Sequence, residues 1–374
     1  MIEMNCVVSG IGASQIGRRL NIDPWKLTAD AALAAIADAG LTPEDIDGIS
    51  TYPGVIGSTP GITGAGVDEV RTLLGLKTRW QTGGIETAGQ LGSIVNAAMA
   101  VACGVANHVL CFRTVWESTA QSKLGGRPVA LGQSIQREMN QWSQPYGFGY
   151  STYGALLTQR YMYESGITRE QLGQIAVVTR AHAALNPAAV YRTPLTLDEY
   201  LDARMISTPV CLYDCDVPVD GSLAFVISRA DSKGVDQTKA VKIEAMGSAA
   251  GIVECSNMMW SSTRLTPNDV NVAQLYDGFS ILAILWLEAM GLSPKNGAGK
   301  FIEGGDRISL GGEMPLNTGG GQLSGGRMHG YGQLHEACVQ LRGLGEARQV
   351  KPTPNVAVVG VGAANLTSCL LLSN

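Results

Sequence analysis

The chain has 374 residues, 45% of them hydrophobic and 16% charged, with 47 glycines and a formal net charge of −5. That length allows two domains of usual size or one large α/β unit, and the composition can bury a substantial core. Acidic and basic residues are interspersed, so nothing points to nucleic acid or to a membrane surface.

The first residues, Met1 to Asn5, lack the basic and apolar regions of a signal peptide. The apolar stretch 356–372 is broken by Asn365, Thr367 and Ser368, and reads as buried strands rather than a membrane span. The eight cysteines are scattered, mostly inside apolar segments. That is the usage of a reducing compartment and predicts a cytoplasmic protein. Cys211 and Cys215 are four apart, but neither a second pair nor a nearby His completes a zinc site.

Cys6 to Gly12 is an apolar run ending in glycines, a first strand. Asp23-Pro24 opens a helix that continues through Leu27, Ala31 and Ile36 and stops at Gly40. Leu41 to Asp47 is a turn entering a second strand. Ser93 to Cys103 is apolar on every face, the mark of a buried helix. Val105 to Phe112 reads as the next strand, and 114–205 as a long excursion with helices at Thr152–Ser165 and Arg169–Leu185. Leu212 to Asp220 is turn-like, and Ser222 to Ser228 returns as a strand.

A similar unit follows. Val241 to Met246 is a strand, Leu265 to Asn271 mirrors Leu41 to Asp47, and Val356 to Val361 is the closing strand. Two copies of one α/β unit predict a duplicated fold. The first half covers 1–230, with the excursion, and the second 240–374, divided by the polar run from Ala230 to Lys239.

Function concentrates at Leu275 to Ser280 and at two glycine-rich segments, Asn317 to Gly321 and Gly326 to Gly332. The first is a strand-to-helix corner bearing Tyr276 and Asp277, and such corners put side chains at the rim of a sheet where ligands bind. The glycine segments surround Arg327 and His329, and predict a backbone that comes close to a ligand or to another chain segment.

Together with Met99 to Arg113, Arg180 to Pro187, Asp214 to Gly221 and Pro315 to Gly321, these segments resemble the thiolase superfamily over essentially the whole chain. The likeness is to the sterol-carrier and lipid-transfer-protein branch. The resemblance implies an α/β thiolase fold, with duplicated βαβαβαββ halves packed as a five-layer αβαβα sandwich. It also implies a homodimer, acyl-CoA substrates with coenzyme A as part of the thioester, and no other bound cofactor or metal.

The departures matter as much. Working thiolases carry a nucleophilic Cys where this chain has Thr87, a His where it has Tyr276, a second His at Arg327-Met328, and a second Cys at Val358. A threonine hydroxyl without a basic partner is a weak nucleophile, and Thr87 reads as a helix N-cap. A Tyr at the Tyr276 position resembles the steroid side-chain aldolases. These cleave a β-hydroxyacyl-CoA to a ketone and a shorter acyl-CoA, with a small OB-fold, zinc-ribbon-type partner in a heterotetramer. Their actinobacterial members have a second Tyr where this chain has Arg327.

Retro-aldol cleavage needs a base, an oxyanion site and an acid. Tyr276 is expected as the base or as the donor to the carbonyl being formed. Arg327 is expected to activate it by favouring the phenolate, or to bind the enolate. His329 is a further acid–base candidate, and Tyr331 has a similar standing. Asn317, Gly320, Gly360 and Gly362 are expected to shape the thioester pocket, and the glycines equally fit tight packing of the last strand. His182 is expected to contact the coenzyme or to lie at a surface or interface. Asp277 orients its neighbours or caps the following helix. The competing readings are a non-catalytic acyl-CoA or lipid-binding scaffold and a residual thiolase, although Cys103 and Cys111 look too deep in apolar segments for nucleophiles.

Overall fold

The computed structural model describes residues 5–54, 61–84, 89–123, 144–363 and 366–374. The first half runs β1 (Cys6–Ala13), α1 (Pro24–Asp38), β2 (Gly48–Thr51), α2 (Val67–Leu73), β3 (Trp80–Gly83), α3 (Gly92–Ala102) and β4 (His108–Trp116). The excursion contributes α4 (Glu117–Lys123), α5 (Tyr150–Ser165), α6 (Arg169–Ala184), α7 (Leu197–Leu201) and a small ribbon of β5 (Met205–Ser207) and β6 (Val210–Cys211), before β7 (Asp220–Arg229). The second half holds β8 (Val241–Ala249), α8 (Ile252–Ser261), β9 (Val272–Leu275), α9 (Ser280–Ala289), α10 (Ala298–Ile302), α11 (Tyr331–Leu341), β10 (Val356–Ala363) and β11 (Leu366–Ser373).

Nine strands form one sheet in the order β3-β2-β4-β7-β1-β8-β11-β10-β9. The halves meet where β1 pairs with β8 through Val7–Lys242 and Val8–Val241. Reading outward from that seam, β1-β7-β4-β2-β3 matches β8-β11-β10-β9, and the missing fifth strand survives as a single parallel bridge from Ala273 to Leu316. The duplication extends to detail. Thr42 is bonded through its N–H and hydroxyl to Asp45, and Thr266 in the same way to Asp269.

Alternation along the strands sets the layers. Leu110, Phe112, Ala224 and Val226 join Ala31, Ala35 and Ile36 of α1 in one core. Val109, Cys111, Phe225 and Ile227 join Ile94, Ala98 and Val101 of α3 in another. Helix α11 packs on β9 and β10 of its own half and on β1 and β7 of the other, so α3 and α11 form the central layer, with α8 outside the second half's strands. Their N-terminal turns touch: the hydroxyls of Ser93 and Tyr331 are 2.7 Å apart. Full burial of each Leu, Ile or Phe in these layers contributes about 1.5–3 kcal/mol.

Two boundaries differ from expectation. Strand β4 starts at His108, because Val105 N–H still bonds Ala100 O (2.9 Å) in the turn that closes α3. It runs on to Trp116, pairing Arg113 and Thr114 with β7 although both are polar. Cys103 is exposed as the C-terminal cap of α3, contrary to its apolar context. The expected cap at Thr87 lies outside the described residues.

Candidate active site

Strand β9 is fully buried, and the chain leaves it at Tyr276-Asp277-Gly278, just before α9. The Tyr276 N–H is fixed by Gly360 O of β10 at 2.8 Å. Its ring folds back over Gly278, where an added Cβ would sit 2.8 Å from Tyr276 Cε1 and 3.3 Å from its hydroxyl. Only glycine gives the phenol that room. Gln90 Nε2 donates to the phenol oxygen at 2.9 Å.

Burial first, then the nearby Asp216 charge, push the Tyr276 phenol above its ordinary value; Gln90, Gln322 and Arg327 oppose this and are outweighed. Burial and Asp216 thus work against the expected activation of Tyr276 by Arg327. Removing the phenol from water costs the phenolate more than the guanidinium returns, and Arg327 is committed elsewhere.

Arg327 donates through Nε (3.0 Å) and Nη2 to Glu117 Oε2, and through Nη1 to Asp216 Oδ1 at 2.9 Å. Its own N–H bonds Val217 O at 2.8 Å. Glu117 begins α4, so this arginine from the second half binds two acids of the first. Asp216 is pushed up to about 6 by burial and by Glu117, with Arg327 pulling the other way.

His329 sits beside this group with φ of 48°. Arg113 Nη2 donates to its Nδ1 at 2.8 Å, and its Nε2 lies 3.7 Å from Glu117 Oε1. A guanidinium has no acceptor, so Nδ1 must accept and the neutral ring carries its proton on Nε2. Burial, Arg113 and Arg327 all hold His329 well below its ordinary value. Arg113 is itself buried at 1% exposure, and burial lowers it to about 10. Sequence reasoning missed Arg113, Glu117 and Asp216 as site residues. Two polar residues at the end of an otherwise apolar strand segment were the available signal.

Asp277 does not cap α9. Its Oδ1 accepts from Gln322 N–H (2.9 Å) and Gln333 Nε2 (3.1 Å), and Oδ2 faces Leu323 N–H at 3.5 Å. The carboxylate thus organises the turn 321–325, where Gly321 has φ of 55° and an added Cβ would meet Asp277 Oδ2 at 1.9 Å. Burial raises Asp277 to about 7. The excursion holds the same turn from the other side. Asn186 Nδ2 donates to Gly319 O (2.8 Å), Arg180 Nε to Ser324 Oγ (2.7 Å), and Tyr191 N–H to Ser324 O (3.0 Å).

The remaining expected residues make contacts within the protein. Asn317 places its amide against the backbone of Leu275, accepting from N–H at 2.7 Å and donating to O at 2.8 Å. It replaces the peptide partner that the reduced fifth strand lacks. Gly320 packs against Ala183. Gly360 lies against Trp286, whose Nε1 donates to Gly362 O at 3.0 Å. His182 is buried, not at a surface; its Nδ1 lies 3.0 Å from Leu316 O and burial lowers it. The Tyr331 hydroxyl is taken by Ser93.

The Thiolase C-terminal domain-like family matches residues 232–373. The chain is 32% identical to the steroid side-chain-cleaving aldolase of Thermomonospora curvata, covering 98% of this chain and 97% of that one. It is 32% identical to the 17-hydroxy-3-oxo-4-pregnene-20-carboxyl-CoA lyase of Mycobacterium tuberculosis, covering 100% of both. The solved Ltp2-ChsH2(DUF35) aldolase superposes with a TM-score of 0.87 at 29% identity, over 100% of this chain and 98% of that chain. The chain belongs to the thiolase superfamily, within its aldolase and lyase branch.

Proposed function

We propose that the chain cleaves a bulky β-hydroxyacyl-CoA, of the steroid side-chain type, by retro-aldol reaction into a ketone and a shorter acyl-CoA. The observation that carries this is the buried Tyr276 beside a cluster of two acids and two guanidiniums, in a chain whose full-length relatives are named aldolase and lyase.

A phenol that keeps its proton at neutral pH is suited to the acid step, delivery of a proton to the α-carbon of the thioester enolate. Arg327 holds Glu117 and Asp216 in place through hydrogen bonds, and neutral His329 presents an Nε2–H donor. Coenzyme A enters as part of the substrate. Asn317, Gly320, Gly360, Gly362 and His182 hold the walls of the site rather than the reacting atoms.

A small OB-fold partner is part of this reading; the two-component name of the solved aldolase supports it. A homodimer in a heterotetramer follows the same reading, supported by β3, which among the described residues is an edge strand paired on one side. A cytoplasmic setting fits eight free cysteines. Among the described residues, no helix is long and apolar enough to cross a membrane.

The test is a product assay on the chain co-expressed with its partner, offered a β-hydroxyacyl-CoA with a tertiary, ring-borne hydroxyl. Ketone and shorter acyl-CoA are expected without added coenzyme A. Products that form only when coenzyme A is added would turn the reading back to thiolysis.

A further inference from the structure

We propose that Asp216 is the base that takes the β-hydroxyl proton, working opposite Tyr276 across Gly278. This rests on the retro-aldol reading and adds to it the group that the reaction needs and Tyr276 does not supply.

The backbone brings the two together. Asp216 N–H donates to Gly278 O at 3.2 Å, and Cys215 forms an isolated antiparallel bridge with Phe279. Gly278 is also the residue over which the Tyr276 phenol lies. Gly278 therefore has the phenol against its Cα and the main-chain N–H of Asp216 on its carbonyl. Asp216 is near enough for its charge to oppose ionisation of the phenol, after burial.

The two acids of the cluster are not equivalent. Glu117 has one oxygen held twice by Arg327 and the other facing His329, and its side chain is 4% exposed. Asp216 gives only Oδ1 to Arg327, and among the described residues no hydrogen bond reaches Oδ2. Its side chain keeps 13% of its surface open. A general base needs a free lone pair within reach of the substrate hydroxyl; Glu117 Oε1 has only His329 at 3.7 Å, so exposure separates the two acids, and Asp216 is the more open. Its value of about 6 leaves it ionised at neutral pH, close enough to the working pH to accept a proton and return it.

The step balances. The Asp216 carboxylate takes the β-hydroxyl proton, and the O–H pair becomes the ketone π bond. The Cα–Cβ bond breaks and its pair passes to the thioester enolate. Tyr276 gives its proton to the α-carbon, and the proton on Asp216 returns to the phenolate. No oxidant, water or free coenzyme A is consumed. Arg327 leaves this cycle charged throughout and stabilises Asp216 as the anion.

The experiment uses the full chain with its partner and compares wild type, Asp216→Asn and Asp216→Glu across pH 5–9. Two quantities are read: cleavage of the β-hydroxyacyl-CoA, and solvent deuterium exchange at the α-carbon of the shorter acyl-CoA, a half-reaction with no alkoxide to form. Expected are an acidic limb near pH 6 in wild-type kcat/KM, a cleavage loss of about 100-fold or more in Asp216→Asn with acyl-CoA binding retained, and partial recovery in Asp216→Glu. Wild-type cleavage rates in Asp216→Asn, or an acidic limb that survives it, would overturn the assignment of Asp216 and leave the lyase reading standing. A wild-type chain that exchanges the α-proton yet cleaves nothing would overturn both.

Discussion

Arg113 and His329 come from different halves of the chain, and the guanidinium of one donates to Nδ1 of the other at 2.8 Å in a fully buried setting. This bond fixes a neutral imidazole with its proton on Nε2. The other three histidines are also lowered by burial, His335 to about 4. In NMR titration, no histidine signal should move with a midpoint between pH 6.5 and 8. The sign for stability follows. A histidine kept neutral in the fold but free to protonate when unfolded stabilises above pH 6.5 and loses that contribution as pH falls below it. A histidine titrating near 7 with the native fold intact would contradict this placement.

Arg327 is the cation between two buried acids. Replacing it by Ala removes the guanidinium that Glu117 and Asp216 share, and breaking a buried pair costs about 3–5 kcal/mol. The acidic limb of the rate profile should move upward, because Asp216 loses the charge that favours its anion. Arg327→Lys should keep part of the rate and shift the limb less. Calorimetry and a pH–rate profile decide the matter; an unchanged limb in Arg327→Ala would separate Arg327 from Asp216.

Gly278→Ala places a methyl 2.8 Å from the ring of Tyr276. The phenol must shift, and a displacement of this size at a reacting group lowers kcat by about 100-fold. Overpacking should cost about 1–3 kcal/mol, so the protein remains folded. Unchanged kcat would show that Tyr276 has room to spare.

Asn317→Ala removes both partners of the Leu275 peptide and puts a residue without a polar side chain at φ of 49°. Each buried group left unpaired costs about 1–3 kcal/mol. A large drop in melting temperature is expected, with substrate KM little changed in the surviving fold. A selective loss of acyl-CoA affinity at full stability would return Asn317 to the binding site.

Much of the architecture was legible because hydrophobic periodicity is local. The corner at Tyr276 falls where an apolar strand meets an apolar helix, and the Thr-Pro turns at Thr42 and Thr266 marked the duplication. The division of labour was not legible. Whether Asn317 faces a ligand or the Leu275 backbone depends on a strand reduced to one bridge. Whether Arg327 activates Tyr276 depends on Glu117 and Asp216, which lie 210 and 111 residues away in sequence. Glycines at 360 and 362 look alike whether they serve a ligand or an indole, and here Trp286 is the neighbour.

The most direct test of the central claim is cleavage of the β-hydroxyacyl-CoA in deuterium oxide, without added coenzyme A, by wild type and Tyr276→Phe. Wild type is expected to leave one deuterium at the α-carbon of the shorter acyl-CoA in the first turnover. A loss of about 100-fold or more is expected in Tyr276→Phe, with acyl-CoA still bound. Cleavage that proceeds equally well in Tyr276→Phe, or that requires free coenzyme A, would contradict the claim.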